Sequence, residues 1–211
     1  YRVPAWSPSD NQILPVSQDA DGSGGLYTSD ATARDLTLVE ETPGEAAFLW
    51  SPDGELLAVS HSEVPGGLIY QGIRFFSSGG EPQTIRVDET VLAFFWSPDG
   101  SRLAYVTEGE GEGFNRWMVL DVRGGERWAI ADFIPSGAQA TMFRLFDQFA
   151  YSHSPWSSDG ASLVFSGALR TEGVPAPAAR QEPPQVVVAD ASPDPTAAVI
   201  ADGFLAFWSP R

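Results

Sequence analysis

One short phrase recurs along this chain and limits the fold more than any other feature. It reads WSPDGELLA from Trp50 and WSPDGSRLA from Trp96, with a weaker form, WSSDGASLV, from Trp156. A divergent copy begins at Trp6, and a partial fifth copy ends the chain at Trp208. The spacings between the first residues of successive copies are 44, 46, 60 and 52 residues, which matches or slightly exceeds the length of a four-stranded repeat. The sequence therefore predicts a repeat protein.

Within each repeat, the phrase itself predicts a β-hairpin. Apolar residues precede the turn at residues 97–100, which reads SPDG, and they resume at Leu103, seven residues after Trp96. Proline fixes its own backbone, aspartate binds nearby backbone groups and glycine tolerates a positive φ, so the three together favour a tight turn. A second pair of apolar runs follows in every repeat, as in residues 116–132. Two hairpins predict four antiparallel strands per repeat.

The strand after the turn is apolar on both of its faces. Leu103 and Tyr105 share one face, and Ala104 and Val106 share the other. Sheets of this kind need a neighbour on each side, which radial stacking into a propeller supplies. The expected fold class is therefore all-β, a β-propeller of four-stranded antiparallel blades.

The repeat positions also give the expected domain organisation. We expect blades to start near residues 4, 47, 93 and 153 of a single propeller domain, 1–211, or of the C-terminal part of one. The apolar stretch FLAFWS from Phe204 is expected to form a closing strand, 204–208. Five first-strand motifs accompany four sets of following strands, which favours the larger propeller, with 204–208 paired to strands from upstream of Tyr1. Pairing with a second copy of the chain is the alternative.

The phrase W-S-P-D-G-x-x-L-A resembles the PD40, or WD40-like, repeat of the TolB-type β-propellers. The resemblance spans nearly the whole chain and departs from the pattern at Ser9-Asp10 and at Ser158, so altered turns are expected in the first and fourth blades. Propellers of this type serve as binding platforms in the bacterial envelope. The resemblance therefore implies a non-enzymatic scaffold for a protein or peptide partner, in the periplasm or cell envelope. It leaves open an accessory gating propeller of a prolyl-oligopeptidase-like hydrolase whose catalytic domain lies outside this chain.

Composition excludes several classes of partner. The chain carries 28 Asp and Glu against 12 Lys and Arg, for a formal net charge of -16. A surface this acidic repels phosphate, so neither nucleic acid nor anionic lipid is an expected partner. No apolar run approaches the roughly 18 to 20 residues that cross a bilayer, so membrane insertion is not expected either. The absence of cysteine rules out disulfides and thiolate metal sites.

Motifs that would carry catalysis are missing from the sequence. There are two histidines, His61 and His153, and there is no G-x-S-x-G, P-loop or G-x-G-x-x-G motif in a fitting context. Asp53, Asp99 and Asp159 belong to the repeated turn, where a structural role is expected. We therefore expect no enzyme activity, no catalytic residues and no cofactor.

Residues 19–30 provide the best metal candidate. Oxygen-bearing residues fall there at calcium-loop spacing, with Asp19 and Asp30 at the two ends. The residues just before Asp30 occupy the place of a third strand, which would separate the two aspartates. A glycine-rich hairpin loop without metal is therefore favoured.

Residues 133–156 have no counterpart in the other repeats and account for the 60-residue spacing. Their apolar residues fit a short amphipathic helix or an aromatic plug that fills a gap between blades. In the functional alternative, the polar members of this insert bind the partner, and they are Arg144, Asp147, Gln148 and His153. The acidic, glycine-rich stretch TEGEGEGFNRW is expected to be a solvated loop.

Overall fold

The structure is a computed structural model, and it describes residues 5–8, 12–14, 16–18, 24–30, 32, 34–42, 45–63, 67, 69–171, 173 and 183–209. The chain forms two compact units, residues 1–91 and residues 92–211. Antiparallel strands make up most of both units. We call each set of strands that follows one copy of the phrase a blade.

The N-terminal unit contains the first and second blades. The first blade consists of β1 (Ala5–Trp6), β2 (Gln12–Leu14), β3 (Val16–Gln18), β4 (Gly24–Asp30) and β5 (Thr37–Thr42). Both β2 and β3 pair with β4, which also pairs with β5. The second blade is a regular meander of β6 (Glu45–Trp50), β7 (Leu56–Ser62), β8 (Tyr70–Ser77) and β9 (Pro82–Val91).

The C-terminal unit contains the third and fourth blades in one antiparallel sheet. The third blade consists of β10 (Ala93–Trp96), β11 (Arg102–Glu108), β12 (Asn115–Asp121) and β13 (Arg127–Pro135). Two helices follow, α1 (Gly137–Arg144) and α2 (Phe146–Phe149). The fourth blade consists of an isolated bridge at Trp156, then β14 (Ser162–Leu169), β15 (Gln185–Asp190) and β16 (Ala197–Asp202).

The seven-residue spacing in the repeated phrase is the register of the first hairpin. In every blade the tryptophan lies directly across the hairpin from the apolar residue seven places later. The four pairs are Trp6 with Ile13, Trp50 with Leu57, Trp96 with Leu103, and Trp156 with Leu163. The predicted hairpins are therefore confirmed.

Side-chain hydrogen bonds hold the turn inside the phrase. In the third blade, the Ser97 hydroxyl donates to Asp99 Oδ1 at 2.7 Å and accepts from the Arg102 N–H at 2.9 Å. Asp99 also accepts from the backbone and the hydroxyl of Ser101. Partial burial opposes ionisation of Asp99, but these hydrogen bonds outweigh it and lower the pKa of the carboxyl group. The aspartate of the phrase is thus a structural residue.

The expectation of an altered turn in the fourth blade is wrong. The Ser157 hydroxyl donates to Asp159 Oδ1 at 2.6 Å and accepts from the Ser162 N–H at 2.9 Å, as in the third blade. Gly160 has a positive φ of 70°, the same value as Gly100. Serine therefore replaces proline without changing the turn, because none of these bonds uses the side chain at that position. The divergent Ser9-Asp10 turn lies outside the described residues.

The repeated tryptophans are buried in three blades and exposed in one. Trp50, Trp96 and Trp156 are buried, whereas Trp6 is 57% exposed. The hydrophobic cluster of the N-terminal unit forms around Trp50 and includes Leu26 from the first blade, and Trp6 is not part of it. A tryptophan in the phrase is therefore buried where other blades cover it, rather than by the phrase itself.

Strand pairing and side-chain contacts join the third blade to the fourth. The end of β13 pairs with the end of β14, from Phe133 opposite Leu169 to Pro135 opposite Gly167. The Trp156 indole N–H donates to the Phe95 carbonyl at 3.0 Å. The Arg102 guanidinium donates to the backbone carbonyls of Gly160 and Ala191 in the fourth blade. It also lies 5.2 Å from the centre of the Trp156 ring.

The expected closing strand at residues 204–208 is not a strand. The backbone there has no regular structure, although the Trp208 N–H donates to the Ser154 carbonyl at 3.0 Å. Upstream, Gly203 is held through its N–H to the Pro184 carbonyl. The segment is fixed by single hydrogen bonds to fourth-blade and insert residues instead of a ladder.

Candidate partner-binding site

The helical insert between β13 and β14 begins with a well-formed cap. The Ser136 hydroxyl accepts from the Gln139 N–H at 3.0 Å, which satisfies one of the free donors at the start of α1. Gln139 is itself buried, and its Oε1 accepts from the Ser166 N–H of β14 at 3.1 Å. A buried amide with a backbone partner fixes the helix against the sheet. The predicted short helix is confirmed.

Aromatic side chains on the inner face of the insert fill the core of the C-terminal unit. Phe143 contacts Trp117 edge to face, with ring centres 5.5 Å apart. Phe146 lies 4.7 Å from Phe94 and is fully buried. Contacts of this kind contribute about 0.5 to 1.5 kcal/mol beyond area burial. For the inner face, the gap-filling interpretation of the aromatic residues is therefore correct.

The four predicted partner-binding residues lie on the remaining surface of the insert. Arg144 ends α1 and is exposed, as is Gln148 in α2. Asp147 is half-buried in the same short helix, and His153 is half-buried after it. All four residues thus belong to the insert.

His153 lies between two aromatic rings. Its ring centre is 4.3 Å from that of Phe207 and 5.4 Å from that of Phe149. Its Nδ1 is 2.8 Å from the Ser152 hydroxyl, and its backbone N–H donates to the Phe149 carbonyl at 2.8 Å. The sequence interpretation missed Phe207, because AFWS at the chain end looked like the first strand of another blade.

The segment 203–209 is tied to the insert at its base. The Ser136 hydroxyl, which caps α1, donates to the Phe204 carbonyl, and the Ser166 hydroxyl donates to the Gly203 carbonyl. Ser136 thus links the start of α1 to this segment. The insert and residues 203–209 therefore form one surface of the C-terminal unit.

Several aromatic side chains of this surface are exposed. Phe149 and Phe207, which flank His153, are both exposed. Tyr151, which lies between Phe149 and His153 in the sequence, is exposed as well. Contiguous exposed apolar groups bordered by polar residues are typical of interaction sites. Arg144 and Gln148 are the neighbouring polar groups in the chain. The arrangement can bind an apolar side chain against rings and hydrogen-bond a backbone beside them.

The Ser152 and His153 pair could in principle activate a hydroxyl group. A serine nucleophile needs a base, and the base needs a third group that orients it. Within the described residues, the remaining ring contacts of His153 are to Phe149 and Phe207, and no carboxylate orients its imidazole. The pair therefore lacks the orienting part of a catalytic triad.

The metal candidate at residues 19–30 can be located in part. Asp30 ends β4, as the strand interpretation of this stretch predicted. Its carboxylate accepts from the Thr32 N–H at 3.0 Å. Residues 19–23 lie outside the described residues. Among the residues that are described, no group of three His, Asp or Glu side chains could hold a metal ion. Over the same residues, no helix is long and apolar enough to span a membrane.

Comparison with known proteins supplies the fold. No protein-family model matches the sequence, and no curated protein matches it either. Among solved structures, oligogalacturonate lyase from Vibrio parahaemolyticus is 15% identical, with a TM-score of 0.57 over 91% of this chain and 51% of the lyase. The β-propeller domain of the Trilobed protease from Pyrococcus furiosus is 13% identical, with a TM-score of 0.53 over 92% of this chain and 55% of that one.

TolB from Acinetobacter baumannii also matches and is 16% identical, with a TM-score of 0.49 over 94% of this chain and 43% of TolB. The fold assignment rests on the two better matches. The chain is a β-propeller, as the sequence predicted, and it spans about half the length of these two structures. Because the matching structures include a lyase and a protease, the fold does not decide whether this chain is catalytic.

Proposed function

We propose that this chain is a non-enzymatic propeller scaffold that binds a protein or peptide partner on the surface formed by the insert and residues 203–209. The observation that carries the proposal is the exposed aromatic pair, Phe149 and Phe207, on either side of His153. Aromatic groups are enriched in protein interfaces, where a few large side chains supply most of the binding energy. The insert between β13 and β14 also has no counterpart in the other repeats.

The expected partner presents an apolar and basic segment. The net charge of -16 attracts cationic segments over long range and repels acidic ones. An aliphatic or aromatic side chain of that segment packs on Phe149 and Phe207, while Gln148 hydrogen-bonds its backbone. Arg144 and Asp147 border the contact and select the charge pattern of the partner.

The cell envelope is the proposed location, and it follows from the resemblance to TolB-type repeats. A second candidate function is supported by the match to the propeller of the Trilobed protease, in which this chain would be the accessory domain of a peptidase. In that case the insert surface would face the catalytic domain.

A capture experiment with matched variants tests the proposal. The parent chain, a Phe149→Ser/Phe207→Ser double variant and an Ile200→Ser control are each incubated with native envelope extract. Ile200 is an exposed apolar residue of β16, so the control makes the same change on a strand away from the insert. We expect one protein to be retained by the parent and the control and lost by the double variant. The purified partner should then bind the double variant about tenfold or more weakly in calorimetry.

Equal retention by all three chains would contradict the proposed surface. Peptide or ester hydrolysis by the purified chain, lost on Ser152→Ala or His153→Ala, would contradict the non-enzymatic proposal independently. Capture of a hydrolase domain through the insert surface would favour the accessory propeller.

A further inference from the structure

A second feature of the C-terminal unit lies outside the insert surface and is made of two arginines from different blades. Arg116 lies on β12 of the third blade, and Arg170 follows β14 of the fourth. Asp132 of β13 contacts both: its carboxylate accepts from Arg116 Nε at 2.6 Å and lies 3.4 Å from Arg170 Nη1. The two guanidinium groups therefore converge on one point.

Asp132 holds Arg116 in a fixed orientation. The contact is bidentate, with a second hydrogen bond of 2.8 Å from Arg116 Nη2, and the Asp132 side chain is only 9% exposed. Burial opposes ionisation of this carboxyl group, but the hydrogen bonds and charge of Arg116 outweigh it and lower its pKa. The Arg170 N–H also donates to the Asp132 carbonyl at 2.8 Å, which fixes the start of the second arginine. Forked, oriented guanidinium groups are well suited to carboxylates.

The outer side of this pair is occupied by a carboxylate from the chain itself. Glu110 is 65% exposed, and its two oxygens lie 3.2 Å from Arg116 Nη2 and 3.0 Å from Arg170 Nη1. It sits in the glycine-rich loop between β11 and β12. A Cβ on Gly109 would lie 2.8 Å from the Asn115 carbonyl oxygen, so the loop needs glycine there to bring Glu110 to this place. An exposed ion pair of this kind is easily exchanged for another carboxylate.

A cavity of about 530 Å³ opens beside Arg170 and Asp132. Asp132 and Arg170 form its polar wall, and the other described residues that line it are Ala131, Leu169 and Ala197. Cavities of this size hold small ligands, and this one combines a short apolar wall with an oriented cation.

We propose that Arg116 and Arg170 form a binding site for a carboxylate carried on a short aliphatic group, and that Glu110 occupies the site as a displaceable internal competitor. The ligand carboxylate takes the position of the Glu110 carboxylate, and its aliphatic group, of about the size of a leucine side chain, enters the cavity. The net charge of the chain opposes the approach of an anion, so the affinity is modest. Two sources share this chemistry: a free organic acid and the C-terminal carboxylate of a peptide.

A gain of binding distinguishes a ligand site from an ion cluster that only joins two blades. Glu110→Gln removes the competitor and leaves both arginines, so it should tighten carboxylate binding about fivefold, the order expected from one charge at contact distance. Glu112→Gln is the matched control, because it removes the same charge from an exposed position of the same loop. A variant that gains binding cannot owe the change to unfolding.

Calorimetry with four probes tests the site on the full chain. The probes are 4-methylpentanoate, its amide, the peptide Ala-Ala-Leu as the free acid, and the same peptide with an amidated terminus. We expect both acids to bind, both amides to fail, and Arg170→Gln to abolish binding while Arg123→Gln, at an exposed arginine outside both proposed sites, does not. Tighter binding of the peptide acid would identify a chain terminus as the source, and tighter binding of 4-methylpentanoate would identify a small organic acid.

The proposal is overturned if Glu110→Gln binds the acids no more tightly than Glu112→Gln does. Equal binding of acids and amides, or undiminished binding by Arg170→Gln, would overturn it as well. None of these results depends on the partner surface at the insert.

Discussion

The third and fourth blades carry the same phrase but begin differently. In the third, the four residues of β10 pair in full with β11, from Ala93 opposite Val106 to Trp96 opposite Leu103. In the fourth, the first strand is reduced to a single bridge at Trp156. The neighbouring edge of β14 is instead paired with residues 133–135 of β13.

This difference separates what the phrase determines from what it does not. Its serine, aspartate and glycine form a turn through bonds that span five residues or fewer, so the turn is the same in both blades. The strand before the phrase depends on the conformation of the residues that precede it. In the fourth blade those residues belong to the helical insert. Local hydrogen bonds are therefore conserved between the blades, whereas longer-range pairing is not.

Removal of the phrase tryptophan should have the largest effect on both blades. Trp156→Ala deletes an indole that is 1% exposed and donates to the Phe95 carbonyl. We expect a loss of about 3 to 5 kcal/mol in the free energy of unfolding, and a similar loss for Trp96→Ala. Trp6→Ala, at an exposed copy, is the control and should cost less than about 1 kcal/mol. Urea unfolding measures all three, and equal losses at Trp6 and Trp156 would show that burial does not set the cost.

The next effect tests how the third blade supports the shortened fourth. Arg102→Met keeps much of the aliphatic stem and removes the charged hydrogen bonds to Gly160 and Ala191. We expect a loss of about 1.5 to 3 kcal/mol, the range for hydrogen bonds to charged groups. Arg123→Met, at an exposed position of the third blade, should be close to neutral.

Coupling with the tryptophan shows whether Arg102 acts through the fourth blade. The loss from Arg102→Met should shrink in a Trp156→Ala background, because the guanidinium group lies against that ring. Additive losses in this double-mutant cycle would indicate that the two side chains are independent.

A smaller effect addresses the one residue that differs between the two turns. Because Pro98 and Ser158 occupy turns with the same hydrogen bonds, Ser158→Pro should fit the native backbone. It should stabilise the chain by about 0.4 to 1 kcal/mol by restricting the unfolded state, and Pro98→Ser should destabilise it by a similar amount. Thermal unfolding of the two variants checks this. Destabilisation by Ser158→Pro would reveal a backbone difference between the turns.

The features predicted from sequence are those that local spacing encodes. The offset of seven residues between Trp96 and Leu103 is a hairpin register, and it holds even where the strand is one bridge long. The helix was predictable from its apolar periodicity. The partner-binding role of the four polar residues stays a prediction, and His153 lies after α2 rather than on a helix. The exposure of Trp6 was not predictable, because burial depends on neighbouring blades rather than on the phrase.

The parts of both sites that the sequence did not predict are contacts between residues far apart in the chain. Phe207 lies against His153 although 54 positions separate their numbers, and the motif around Phe207 favoured a strand. Glu110 looked like part of a solvated acidic loop, yet its carboxylate meets arginines from two blades, Arg116 and Arg170. Spacing within one repeat carries no information about such pairs.

The smallest expected effect is the pH dependence of the third-blade turn. Hydrogen bonds from Ser97 and Ser101 lower the pKa of Asp99 in the folded state, against the opposing effect of burial. The unfolded chain therefore binds more protons at this site than the folded chain, so the contribution of Asp99 to stability is present above about pH 4, its unfolded pKa. It is lost as the pH falls through the lower, folded value. The free energy of unfolding should thus decline less steeply below pH 4 in Asp99→Asn than in the parent, in urea titrations at successive pH values, whereas Glu112→Gln should leave the slope near that of the parent. An Asp99→Asn slope as steep as the parent's would show that the turn carboxylate gains nothing from its serines.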